Sequence, residues 1–179
     1  MLIDDVLNMS RLEAGRSDLN PTLFSPSALL EDLEAIFRLK TQKKGLALSL
    51  EVHPSVPDQV RVDQGKLRQI LMNMMDNAVK FTEMGAVAIR ANASGADESQ
   101  TRLVGEVEDT GVGIADDHFE KLFVEFEQVG YKTASEPGTG LGMAISRRLA
   151  RVMGGDLTIA SQLGKRSIFR LEIPLDASE

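Results

Sequence analysis

The stretch from Asp63 to Thr82 makes two demands on one helix. At about 100° per residue, Leu67, Ile70, Leu71, Met74, Ala78 and Phe81 fall on one side. Asn73, Asn77 and Lys80 fall within roughly 60° of each other outside that arc. Asp63 precedes the run and suits its N-cap. Such a helix must lay its apolar side on a core, leaving the amides to face water or a ligand. A solvated face is the ordinary meaning of the pattern. Asn, however, is a mediocre helix former that favours caps, so two of them one turn apart invite a functional reading. An Asn oxygen can ligate Mg²⁺, and a Lys one turn on can reach phosphate oxygens.

Two glycine-bearing segments follow in order. Asp109-Thr-Gly111-Val-Gly113 comes after an apolar strand pattern ending at Glu108. It is a common turn composition, but a pocketed carboxylate there could also accept from an exocyclic amine such as that of adenine. Gly138-Thr139-Gly140-Leu141-Gly142 runs straight into a helical pattern through Ala144, Ile145, Leu149 and Val152. A glycine loop at a helix N-terminus offers free N–H groups and the positive dipole end to phosphate. The segment fits neither the P-loop nor the dinucleotide motif G-x-G-x-x-G, because Met143 stands at the last position.

Composition narrows the choices. With no cysteine and only His53 and His118, disulfides, thiolate zinc, Cys nucleophiles and multi-histidine metal sites are excluded or improbable. A formal net charge of −7 argues against a broad nucleic-acid footprint. The acidic start Met1-Leu-Ile-Asp-Asp does not resemble a signal peptide. No apolar run approaches the roughly 20 residues of a membrane helix, so the expectation is a cytoplasmic chain without membrane contact. Scarce aromatics leave the core to Leu, Ile, Val and eight Met.

Residues 1 to 14 read as a short helix and the polar stretch after it as a linker. Ser25-Pro26 opens a second helix, with Leu29, Leu33, Ile36, Phe37 and Lys40 along one face and Gly45 at its end. Strands are expected at 46–52, 60–62, 86–93, 102–108, 156–161 and 167–174, with a hairpin loop at 94–100 and a helix from Gly140 to Met153. Adjacent antiparallel strands alternating with helices suggest an α+β sandwich with helices on one sheet face.

The order Asn-x-x-x-Asn, Asp-x-Gly-x-Gly, Gly-x-Gly-x-Gly resembles the ATP-binding domain shared by sensor histidine kinases, gyrase, Hsp90 and MutL. Leu71–Thr82, Phe119–Phe126 and Gly138–Ile145 are especially similar to the kinases of bacterial two-component systems. The resemblance implies a Bergerat-type fold, a mixed and mostly antiparallel sheet under three helices. It implies that residues 1–15 are the remnant of a dimerisation helix, 16–22 a linker, and 23–176 a catalytic domain with an ATP lid at 127–137. Asn77 would ligate Mg²⁺, Lys80 contact phosphate and Phe81 flank the nucleotide. Asp109 would bind the adenine amine, with Gly111 and Gly113 shaping that wall and Ser167 a nearby hydroxyl. Lys132, Gly138, Thr139, Gly140, Leu141 and Gly142 would surround the phosphates.

Asn73 discriminates within the resemblance. Hydrolysing relatives carry Glu there as general base, and an amide cannot take that proton. The implied reaction is therefore γ-phosphoryl transfer to a histidine of a dimerisation domain, and thence to a response regulator receiver domain. His53 precedes Pro54 and His118 precedes Phe119, so neither matches the acceptor pattern, and the acceptor is expected elsewhere. The approach to the glycine loop reads Ala134-Ser-Glu136-Pro137 where relatives tend to be basic. A regulatory module that binds nucleotide without phosphotransfer is the alternative expectation, and a gyrase-type ATPase a third.

Overall fold

The computed structural model describes residues 3, 6–7, 10, 18–95, 100–116, 120–123 and 142–175. Strand β1 (Thr22–Phe24) leads into helix α1 (Pro26–Lys44). Ser25 caps α1 by accepting from the Ala28 amide, and Gly45 ends it with φ 72°, a left-handed conformation that glycine adopts at little cost. The buried face of α1 is Leu29, Leu30, Leu33, Phe37 and Thr41. The expected stripe is thus turned slightly: Ile36 and Lys40 are exposed, and Leu30 and Thr41 take the inner positions.

Strands β2 (Ala47–Val52) and β3 (Val60–Val62) precede helix α2 (Gln64–Phe81), whose N-cap Asp63 accepts from the Lys66 amide at 3.0 Å. Then come β4 (Ala86–Ser94), β5 (Arg102–Asp109), a single 3₁₀ turn at Glu120–Phe123, helix α3 (Gly142–Val152), β6 (Asp156–Gln162) and β7 (Arg166–Pro174). Five strands form one sheet in the order β2-β4-β5-β7-β6. Only β2 and β4 run parallel, a pairing that demands a crossover, and α2 supplies it. A separate antiparallel pair, β1 with β3, brackets α1; β1 was not expected from the sequence, being three residues long with no alternation to read. The result is an α+β sandwich, three helices over a mixed, mostly antiparallel sheet.

Register decides what the helices cover. One row of the inner face reads Ala91, Gly105, Leu171, Leu157, and the next reads Ile89, Val107, Phe169, Ile159. The third row is Val87, Asp109, Ser167, Ser161. The helix-covered face thus changes from apolar to polar at one end. The opposite face carries ion pairs, Arg90 and Arg166 on Glu108 and Arg170 on Glu106 and Glu172, which keep it wet.

Candidate functional site

The buried arc of α2 is wider than the sequence suggests. Met75 and Val79 join Leu67, Ile70, Leu71, Met74 and Ala78, because α2 has α1, α3 and the sheet as neighbours. Asn73, Asn77, Lys80 and Phe81 are half-buried along the remaining strip. Phe81 therefore belongs beside the polar strip and not to the core, and the Lys80 ammonium stands 5.2 Å from its ring centroid.

Asp109 ends β5 directly opposite Ser167 and is only 2% exposed. Burial pushes its carboxyl up to about 6, since a charge there is poorly solvated. The Gly111 amide, 2.9 Å from Asp109 Oδ1, pulls it down, and the Glu108 charge pushes it up again. Thr82, fully buried, donates to the Ala78 carbonyl at 2.7 Å, and its nearby hydroxyl also pulls the Asp109 carboxyl down. As a carboxylate it can accept from a further donor that approaches the polar end of the sheet.

The turn after Asp109 is held tightly. A Cβ on Gly111 would lie 2.5 Å from the Phe81 carbonyl oxygen and 2.9 Å from Asp109 Oδ1. Gly113 has φ 70° and would collide with the backbone of Gln162 and Leu163. Ser161 Oγ accepts from the Ile114 amide at 2.7 Å, lies 2.9 Å from Ser167 Oγ, and Gly164 N donates to Val112 O. The β6–β7 hairpin therefore clamps the acidic turn.

Across the strip, Asn73 Nδ2 donates to Gly142 O at 3.1 Å and to Ser146 Oγ at 2.8 Å, joining α2 to the start of α3. Arg147 of α3 stacks on Phe123, 4.2 Å from the ring centroid, and pairs with Asp156 and Glu120. Among the described residues no three His, Cys, Asp or Glu converge as a metal cage. Asn77, with no side-chain hydrogen bond to a described residue, offers one amide oxygen. That donor set fits a cation that arrives with phosphate and water ligands, not one held by protein alone.

The structure thus gathers Asn73, Asn77, Lys80 and Phe81 on one helix, with Asp109, Gly111, Gly113 and Ser167 at the polar end of the sheet and Gly142 opening α3. Lys132, Gly138, Thr139, Gly140 and Leu141 lie outside the described residues, as does His118. Sequence reasoning missed Thr82, Ser146 and Ser161. Ser146 had a readable signal, a hydroxyl among Met143, Ala144, Ile145, Leu149 and Ala150, all buried.

Residues 62–177 match the family model described as histidine kinase-, DNA gyrase B-, and HSP90-like ATPase. The chain belongs to this family. Its relatives are sensor kinases: the aerobic respiration control sensor protein ArcB of Escherichia coli (strain K12) is 41% identical over 174 residues, 96% of this chain and 22% of ArcB. Hybrid signal transduction histidine kinase B of Dictyostelium discoideum is 37% identical, over 97% of this chain and 9% of its own length. The chain therefore spans about a fifth of ArcB and less of the Dictyostelium kinase. Among solved structures, full-length ShkA in complex with AMPPNP superposes with TM-score 0.86 at 34% identity, covering 99% of this chain and 36% of ShkA. The Acinetobacter baumannii histidine kinase AdeS, at 24% identity and TM-score 0.76 over 97% of this chain and 76% of AdeS, shares the fold. The family model begins at Val62, so β1, α1 and β2 are aligned only by these longer matches.

Proposed function

We propose that this histidine kinase-type domain binds Mg-ATP between α2 and the polar end of the sheet and passes the γ-phosphoryl group to a histidine of a dimerisation domain. The observation that carries the reading is Asp109, a carboxyl only 2% exposed, beside the buried hydroxyls of Ser167 and Thr82 at the polar end of the sheet. An adenine amine is the donor such a group fits. AMPPNP bound to the related ShkA supports a triphosphate ligand.

In this reading Gly111 and Gly113 form the wall beside the base, Ser167 supplies a hydroxyl near it, and Phe81 flanks the nucleotide. Asn77 would lend its oxygen to a Mg²⁺, which would neutralise phosphate charge, and Lys80 would reach the phosphates. Lys132, Gly138, Thr139, Gly140, Leu141 and Gly142 surround the phosphate chain, beneath a lid at 127–137. The bond from the γ-phosphorus to the bridging oxygen breaks as an N–P bond forms, and ADP leaves. Positioning and charge neutralisation do most of this work. Residue 73, being an amide, supplies no base for water, which favours an imidazole acceptor over hydrolysis.

The acceptor belongs on another domain. His53 is exposed, and its Nδ1 lies 2.8 Å from Ser55 Oγ in a turn. Residues 1–15 are proposed as dimerisation helix, 16–22 as linker and 23–176 as the catalytic unit. A receiver-domain aspartate of a response regulator takes the phosphate next. No helix among the described residues is long and apolar enough to cross a membrane.

Calorimetric titration with ATP, with and without EDTA, tests the reading. Mg-dependent binding is expected. Absence of binding refutes it, and binding without label transfer to the histidine of an ATP-unable kinase core favours the regulatory module.

A further inference from the structure

We infer that Asn73 and Ser146 form an amide–hydroxyl latch that sets the first turn of α3, so that residue 73 positions the phosphate seat instead of acting on the attacking group. The inference rests on the Mg-ATP reading for its ligand, while the latch stands on the geometry alone.

One nitrogen, two protons and two acceptors are involved. Asn73 Nδ2 is 3.1 Å from the Gly142 carbonyl oxygen and 2.8 Å from Ser146 Oγ, and the two acceptors are one helical turn apart on α3. Ser146 is fully buried on an otherwise apolar face. A buried hydroxyl is costly unless bonded, and its partner comes from a different helix. The pair therefore fixes the register of α2 against α3 by a directional contact where the surrounding Met, Ala and Leu contacts impose none.

The residue types follow. The Gly142 carbonyl can only accept, so position 73 needs a donor there. An Asp or Glu would direct lone pairs at the Gly142 carbonyl, whereas an amide supplies one proton to each acceptor. Space is not what Gly142 provides here, because a Cβ built on it would stay 3.7 Å from Asn73 Cγ. The glycine segment ends at this turn, and the free amides of a helix start are where phosphate is held. Asp109 lies across the strip on β5, so loosening the latch disturbs the phosphates and leaves base recognition alone.

The test compares adenosine, Mg-ADP and Mg-AMPPNP by calorimetry on the wild type, Ser146→Ala, Ser146→Thr, Asn73→Asp and the Asn73→Asp/Ser146→Ala double variant. Ser146→Ala should weaken AMPPNP about five- to tenfold, the worth of one buried hydrogen bond, with adenosine unchanged and Ser146→Thr within about twofold of wild type. The double variant should bind no worse than Asn73→Asp alone, since both break one unit. AMPPNP affinity unchanged by Ser146→Ala, additive losses, or loss confined to phosphotransfer with binding intact overturns the latch. If the wild type binds no nucleotide, the Mg-ATP reading fails. The latch is then judged by NMR of the unliganded protein, where slow exchange of the Asn73 side-chain amide protons supports it and free exchange overturns it. That measurement also decides the matter should a variant fail to fold.

Discussion

Asp109 and Ser167 are direct partners across β5 and β7, buried together on the face of the sheet that the helices cover. Every inner row before theirs is filled by carbon. Theirs carries a carboxyl and hydroxyls, and the polar strip of α2 completes the same side of the domain. The acid–hydroxyl row, more than any one glycine, is what makes this end of the sandwich the proposed site.

Asp109 predicts a pH effect of definite sign. Its folded value of about 6 lies above the ordinary 3.8, so between these the folded state holds a proton that the unfolded chain has lost. Nucleotide-free stability should therefore fall as pH rises through that window, by about 3 kcal/mol in all. Denaturant melts at pH 4 and pH 7 check it. ATP affinity should move the other way, dropping below about pH 6 as the carboxyl protonates and ceases to be a pure acceptor.

Asp109→Asn separates binding from stability. Loss of a charged hydrogen bond should weaken ATP by about ten- to a hundredfold. The nucleotide-free domain should meanwhile melt no lower than wild type at pH 7, because the buried charge is gone. A lower melting temperature together with unchanged affinity would mean that Asp109 is structural only.

Asn77→Ala should abolish Mg-dependent nucleotide binding and leave the melting temperature within a few degrees, since the side chain is half-buried and bonds to no described residue. Titration with and without EDTA reads this out. If the variant keeps the Mg dependence, the metal is held elsewhere.

Asp63 should matter to stability and its pH dependence. Burial alone would raise its carboxyl, but the Asn20 amide and the Lys66 amide and ammonium lower it below the usual value. Its contribution is present above the unfolded value of 3.8 and is lost as pH falls through the folded one. Asp63→Ala should cost about 1–2 kcal/mol at neutral pH, as N-cap removals do, by chemical denaturation.

Two glycines should differ. Gly113→Ala places a side chain at φ 70° against the Gln162 and Leu163 backbone, and should destabilise by several kcal/mol, at about the level of a severe core defect. Gly142→Ala meets nothing closer than 3.7 Å and should leave stability within about 1 kcal/mol of wild type. Paired thermal melts compare them.

Much of this was legible because it is local. Caps at Ser25, Gly45 and Asp63, the helix and strand periods, and the candidacy of Asn77 and Asp109 all depend on near neighbours in the chain. The stripe on α1 was read slightly off, and the helix wheel put Phe81 with the apolar side although the resemblance set it beside the nucleotide. Periodicity shows that a helix has an apolar side but not how many neighbours will cover it, and α2 has three. Thr82 and Ser161 were overlooked for the same reason, since a hydroxyl has no meaning until its partner is in place, whereas Ser146 was visible as a hydroxyl in an apolar run but not what it would meet.

The sequence by itself determined the family, most of the element order and the residue types proposed to hold Mg-ATP, because motif chemistry and period are written in short stretches. The tertiary structure decided which row of the sheet is polar, that burial raises Asp109, and that Asn73 faces Gly142 and Ser146. Those outcomes depend on strand register and on residues 69 and 73 positions apart meeting across two helices. Such pairings are set by packing the whole domain, and no local pattern encodes them.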